Sequence, residues 1–374
     1  MHGDKLSALG LLALALTAFA QDERAALRAD LLAATTKHLD LLLDARGTVL
    51  ELKGKSTDAM TASAFQIAYE LTGNQKYRAA AVQLADRIVA AMRATKFGVL
   101  YIKDRETVEG RVIPGGGPPA MGGYTATAAD ILHREGGRDA DLRYIATVLD
   151  KFPWNEKGWW SADIDVRSGE SKQPISKPSP INKNVAMAAA AARVADHIRK
   201  IDPALSARLR RKAETCLYDQ IIPAQEADGY FHYGLTGNDP RNKDILNYFM
   251  VTMDGLIQVR EYTDVHKKAA FAPAFDKAGT FAVRCIASIT DPNHGPACAD
   301  HTTPNTPAHY DLAKDPKKGF RLGLVLVGTG HHRAALNVMK PTLRSFPYGD
   351  RGSDGSHAVH PCALMLRLLS RTSR

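Results

Sequence analysis

STDAMTASAFQIAYELTGNQKYRAAAVQLADRIVAAMRA, residues 56–94, is the stretch that decides the fold. Ala59, Met60, Ala64, Ile67, Ala68 and Leu71 recur at helical spacing and form one apolar face, with Ser56 or Thr57 as the cap. Thr72-Gly73-Asn74 interrupts the pattern. A second apolar face then runs through Tyr77, Ala81, Leu84, Ile88 and Met92. Two amphipathic helices separated by so short a break predict an antiparallel helical hairpin.

The same grammar recurs on both sides of this stretch. A helix covers Arg24 to Leu43, and Ile131 to Glu135 runs into Gly136-Gly137 before Asp139 opens another through Leu149. Val185 to Ile201 is alanine-rich, and Asp202-Pro203 starts the next helix toward Ile221, proline being suited to a first turn. Helices from Asn247 to Glu261, Lys267 to Ile289, Leu322 to Val327, Ala334 to Leu343 and Ala358 to Leu369 complete about a dozen, or roughly six hairpins. Between them, Phe97 to Lys103 and Arg111 to Ile113 suggest a small β-hairpin around Asp104-Arg105, and Gly229 to Gly234 reads as a short strand. Trp154 to Pro180 and Thr290 to Lys318 are long connections, a length that tends to mark function.

Residues 1–20 have the form of a secretory leader: Lys5, an apolar run from Leu6 to Ala18, and Ala18-Phe19-Ala20 placing cleavage before Gln21. The run falls short of the roughly 20 apolar residues that span a bilayer. The expectation is therefore a secreted or periplasmic protein with one domain over residues 21–374 and no stable membrane insertion after cleavage. Of Cys216, Cys285, Cys298 and Cys362, the pair Cys285–Cys298 is the closest in sequence and could bridge, the alternative being four buried thiols. The net charge of +9 favours acidic partners, yet Lys and Arg are scattered rather than clustered, which argues against nucleic acid.

Taken together, the helical hairpins resemble those of the (α/α)-toroid carbohydrate-active proteins, the class of six-hairpin glycosidases and several polysaccharide lyases. The likeness rests on the turn Ala68-Tyr69-Glu70-Leu71-Thr72-Gly73-Asn74-Gln75-Lys76-Tyr77 and on Asp228-Gly229-Tyr230-Phe231-His232-Tyr233 leading into a helix. It implies a mainly α fold, an (α/α)-toroid of about six hairpins with short β-hairpin excursions. In a toroid the cavity is lined by the N-terminal ends of the inner helices and the loops that feed them.

Three such joins carry suitable chemistry. Tyr230, His232 and Tyr233, with Asp228 before them, supply proton-transfer groups of the kind β-elimination on a uronic acid needs; aromatic packing under a loop is the plainer alternative. Asn182, Lys183 and Asn184 stand at a helix start where donors favour an anion such as a uronate carboxylate, although Asn182 could simply cap the helix; Arg111 could join them as a clamp. Trp159 and Trp160, near Trp154, offer flat faces to a sugar ring beside Asp163 and Asp165, which with Asp228 or Glu226 could instead form a hydrolase pair. A loop anchored by buried tryptophans is the alternative there.

His294, Asp300, His301, His309 and Asp311 match no metal-ligand spacing, so no metal site is assigned and no cofactor is called for. His357 and His360 form a weaker cluster that a disulfide at Cys362 would dissolve. The Gly115-Gly116-Gly117-Pro118-Pro119 run is a cavity rim or helix lead-in rather than a phosphate loop. The leading expectation is a polysaccharide lyase acting on a uronate-containing substrate. A glycoside hydrolase with paired carboxylates and a non-catalytic carbohydrate-binding protein are the rivals, the partner in each case being an acidic or neutral polysaccharide or oligosaccharide.

Overall fold

The computed structural model describes residues 3–52, 55–94, 98, 102–108, 111–116, 118–161, 164–165, 170–171, 180–234, 245–290 and 316–371. Among these, twelve α-helices alternate between two concentric layers. The inner layer holds α2 (Lys55–Thr72), α4 (Pro118–Glu135), α6 (Ile181–Ile198), α8 (Ile245–Tyr262), α10 (Pro316–Gly328) and α12 (Ser353–Arg371). The outer layer holds α1 (Gly3–Leu42), α3 (Gln75–Arg93), α5 (Asp139–Lys151), α7 (Pro203–Thr215), α9 (Phe271–Thr290) and α11 (His332–Arg344). Each inner helix packs on the next, and α12 packs on α2, so the inner layer closes into a ring.

Local chemistry sets the turns. Asn74 caps α3 with its side chain, accepting the Lys76 N–H at 3.1 Å, and Gly73 takes φ 72°, a left-handed geometry that ends α2 cheaply. Small residues bring the inner helices close. A Cβ on Gly122 of α4 would strike the Ala186 backbone of α6, whose residues Ala188 to Ala192 are all buried. Phe65, Leu132, Phe249 and Leu324, from four inner helices, belong to one continuous apolar core with residues of the outer layer.

Connection lengths orient the ring. The inner helices α2 to α10 each pass to their outer neighbour through a short link: 73–74, 136–138, 199–202, 263–270 and 329–331. Such links make neighbours antiparallel, so the six inner helices run the same way. The described parts of the longer returns, 43–52, 152–161, 216–234 and 345–352, therefore lie on the side of the inner N-termini, which form the mouth.

Several details differ from expectation. β1 (Ile102–Val108) and β2 (Arg111–Gly116) do pair antiparallel, but Val108 faces Arg111, which leaves Asp104 and Arg105 inside a strand with an irregular register. Gly115 and Gly116 belong to β2 and pair with β5 (Ile164–Asp165), while Pro118 opens α4. The 229–234 segment is not a strand, since its only ladder contact is an isolated bridge from Phe231 to Gln225. The helix expected from Lys267 begins at Phe271, because Thr263 caps a short 3-10 turn over Asp264–Lys267 instead. No helix of the described residues is long and apolar enough to cross a membrane.

Candidate functional site

The mouth is assembled around the start of α6. Pro180 occupies the N-cap position there and makes no side-chain cap, so the first amides need another acceptor. The Tyr233 carbonyl supplies one, accepting the Ile181 N–H at 2.8 Å, which stitches the 225–234 loop onto the helix. The Tyr233 ring lies 4.2 Å from that of Tyr248 on α8. Behind it His232, largely buried, sets Nε2 2.9 Å from Glu226 Oε1 and meets the edge of Tyr230 at 4.8 Å. Glu226 thus orients the imidazole.

Next to Tyr248, Asn247 Oδ1 accepts from Arg321 of α10 at 3.0 Å, and the other guanidinium nitrogen stands 3.1 Å from His357 Nδ1 on α12. Arginine only donates, so His357 Nδ1 holds a lone pair and the imidazole is neutral. Burial, then the charges of Arg321 and Lys317, push its pKa down to about 3. One turn deeper, His360 is 8% exposed and its Nδ1 has no hydrogen-bond partner among the described residues. Burial lowers its pKa against the opposing pull of Asp254, with Arg193 and Arg321 pushing the same way as burial. Cys362 is a buried free thiol whose pKa burial raises, so no disulfide displaces the two histidines.

Below them lie buried charges. Arg193 of α6 pairs with Asp130 of α4, whose other oxygen lies 2.6 Å from His197 Nε2, and it donates to Gln258 of α8 at 2.6 Å. Despite its burial, Asp130 is held well below the usual carboxylate range by Arg193 and His197. Arg367 of α12 reaches Glu70 of α2 at 3.0 Å, and Glu70 also pairs with Arg134 of α4 at 2.7 Å.

Several residues singled out in the sequence stand elsewhere or serve the fold. Tyr230 is 1% exposed and packs between Phe249 and Phe281, so it is core rather than a proton donor at the mouth. Asp228 holds the turn, accepting the Tyr230 N–H at 3.0 Å with Arg284 3.6 Å away. Trp160 is wholly buried with its ring against Trp154 and its backbone N–H donating to Asn184 Oδ1 at 2.9 Å. Trp159 is 8% exposed beside it, in the hairpin of β3 (Trp154–Asn155) and β4 (Trp159–Trp160), so these two rings fasten the 154–160 hairpin to the core instead of offering sugar platforms.

Asn182 does not cap α6; it is buried at the mouth, and its Oδ1 has no hydrogen-bond partner among the described residues. Lys183 is half-buried beside it. Arg111 opens β2 opposite Val108, with only its backbone described, and Asp165 lies in β5 opposite Gly115. Asp163, the histidines and aspartates of 294–311, and Cys298 lie outside the described residues, as does the side chain of Cys285. Among the described residues no three His, Cys, Asp or Glu are grouped to hold a metal. Arg321, Asn247, Asp254 and Arg193 went unnoticed in the sequence. For Arg193 and Arg367 the signal was there: Ala188–Ala192 and Val194 flank the first, and Leu364, Met365, Leu366, Leu368 and Leu369 the second.

No protein-family model matches the chain, and no curated protein matches it. Solved structures do. A D-mannose isomerase superposes with TM-score 0.61 at 12% identity, over 93% of this chain and 97% of that one. Cellobiose 2-epimerase from Spirochaeta thermophila gives 0.58 at 11% identity, over 94% and 98%. Unsaturated glucuronyl hydrolase from Bacillus sp. GL1 gives 0.56 at 14% identity, over 92% and 96%. At such identities the likeness is one of fold, and the chain has the (α/α)-toroid architecture that these carbohydrate-active enzymes share.

Proposed function

We propose that this protein is a saccharide-processing enzyme whose reaction begins by removing a proton from carbon beside a carboxylate or carbonyl. Its most concrete form is β-elimination on a uronate-containing polysaccharide. The observation that carries this reading is Arg321, held between Asn247 and His357 at the mouth, with neutral His360 one turn below. A guanidinium aimed at a carboxylate neutralises charge that would otherwise build up as the α-proton leaves. A buried neutral imidazole is competent to take that proton, and a tyrosine such as Tyr233 or Tyr248 to protonate the departing oxygen. The names of the structural neighbours, an isomerase, an epimerase and a glucuronyl hydrolase acting on saccharides, support a sugar as the substrate.

Hydrolysis by Asp228 is disfavoured because that carboxylate is engaged in its turn and with Arg284. Binding alone is disfavoured because Trp159 and Trp160 are buried. The leader-like residues 1–20 further support export as the protein's destination.

The test is incubation of the purified protein in D2O with a panel of uronate-containing and neutral saccharides, following three signals together. Ultraviolet absorbance of unsaturated ends with new reducing ends is the expected result. Deuterium entering the sugar without cleavage would keep the proton abstraction and replace elimination by isomerisation or epimerisation. Reducing ends with neither other signal would overturn the reading in favour of hydrolysis.

A further inference from the structure

The short links at the inner C-termini, on the side opposite the mouth, consist wholly of described residues, and two of them border a surface cleft. It lies between the α4–α5 link, residues 136–138, and the α6–α7 link, residues 199–202. Arg143 of α5 spans the two, donating to the Ile201 carbonyl at 3.2 Å. The cleft has a volume of about 570 Å³, in the range of small-molecule sites. Leu132 and Leu142, both buried, form its apolar part.

Nitrogen dominates the polar wall. His133 of α4 and His197 of α6 stack there, with ring centroids 4.4 Å apart and planes 24° from parallel. The ionised Asp130 carboxylate accepts from His197 Nε2 at 2.6 Å, so the other nitrogen of that ring donates only when the imidazole is protonated. The pKa of His133 is lowered by the partial burial of its ring and then by the charge of His197. A negative charge in the cleft would offset that repulsion. Arg199 and Lys200 add two exposed cations, while Arg138 is committed to Asp86 and Asp141.

Two carboxylates share the wall. Asp196 is matched twice, by Arg199 at 2.9 Å and by Arg210 from outside the cleft, so Arg199 can turn to a ligand without stranding it. Asp139 is exposed on the first turn of α5, where Arg138 holds the N-cap position and makes no side-chain cap. The opening amides of α5 therefore still want an acceptor.

We propose that this cleft is a binding site for a phosphate monoester the size of a sugar phosphate, separate from the candidate site at the mouth. A phosphoryl group has three terminal oxygens, enough to meet Arg199, Lys200 and an imidazolium together, where a carboxylate has two. The Leu132–Leu142 side takes the carbon skeleton. Nothing in this assignment depends on the reaction proposed above.

NMR of the His133 and His197 imidazoles in the full protein tests it, in titrations with inorganic phosphate, glucose 6-phosphate and glucuronate at an ionic strength held constant with chloride. The expected result is a saturable shift of both imidazoles with either phosphate, tighter binding of the sugar phosphate, and a His133 pKa that rises in the bound form. Arg199→Ala and Lys200→Ala, both at exposed side chains, should each weaken binding by about tenfold, the scale of one charged hydrogen bond. Unchanged affinity in both variants would overturn the placement. Saturable shifts with glucuronate and not with phosphate would overturn the phosphoryl assignment, and no saturable shift with any of the three would overturn the site itself.

Discussion

Arg193 and Arg367, contributed by α6 and α12, converge on a single aromatic ring, that of Tyr262. Burying these guanidinium groups is costly, and burial lowers the pKa of Arg367 to about 10. What holds them is compensation: the negative faces of Tyr262, and the carboxylates Asp130, Glu70 and Glu261 around them. The arrangement is a plug in which each charge depends on the others.

Removing one partner should therefore cost far more than removing both. Asp130→Ala leaves Arg193 buried without its carboxylate, and urea unfolding is expected to show a loss of about 3–5 kcal/mol. The pair Asp130→Leu with Arg193→Met restores an apolar contact and should recover most of it. A single-variant loss below about 1 kcal/mol would mean that the plug adds nothing to stability.

Trp160 provides a second contrast, between a structural and a sugar-binding role. It is wholly buried against Trp154 and tied through its backbone to Asn184. Trp160→Ala should lower stability by about 3–5 kcal/mol in urea. Saccharide affinity per folded molecule, measured by calorimetry below the unfolding range, should stay within about twofold of wild type, a shift of under about 0.5 kcal/mol. A large affinity loss with intact stability would return the ring to the substrate.

The helical hairpins were legible because their signal is local: apolar spacing on each side of Gly73, or of Gly136, needs no distant partner to be recognised. Ring closure of α12 on α2 joins residues far apart in sequence, and no periodicity records it. The tryptophans were misleading because a turn-rich aromatic segment looks the same whether it covers a core or faces a ligand. The arginines were the missed opportunity. Arg193 sits in the run Ala186-Met187-Ala188-Ala189-Ala190-Ala191-Ala192, followed by Val194-Ala195, where a charge has no solvent face and must meet a partner. Which partner, Asp130 on another helix, is tertiary information.

On the function proposed above, substrate recognition turns on Arg321. Arg321→Met should lower kcat/KM on the saccharide substrate by about 10²–10³-fold, the scale of losing one charged stabiliser of a developing anion. The same change removes a cation that depresses His357, so NMR titration should show the His357 pKa rising from about 3 while burial keeps it below 6.5. Both shifts must appear together. A raised pKa with full activity would leave Arg321 a neighbour of His357 and not of the substrate.

The last prediction concerns acid, and His38 isolates it. Its ring is buried against Phe346, Nδ1 accepts the Gly349 N–H at 3.2 Å, and burial lowers its pKa from 6.5 to about 4. Above pH 6.5 both folded and unfolded chains carry it neutral, and it adds no pH dependence. As the pH falls from 6.5 toward 4 the unfolded chain takes the proton and the folded one does not, so stability drops by up to about 1.4 kcal/mol per pH unit. Below about 4 both forms are protonated and the effect saturates. His357 contributes in the same direction over an overlapping range, since its pKa is also lowered. A single variant is needed to separate the two. His38→Gln can still accept from Gly349 but cannot titrate, so the stability lost between pH 7 and 4.5 in urea should shrink by about 2–3 kcal/mol relative to wild type. An unchanged loss would mean that His38 is protonated in the folded protein at pH 4.5, which its burial beside Phe346 opposes.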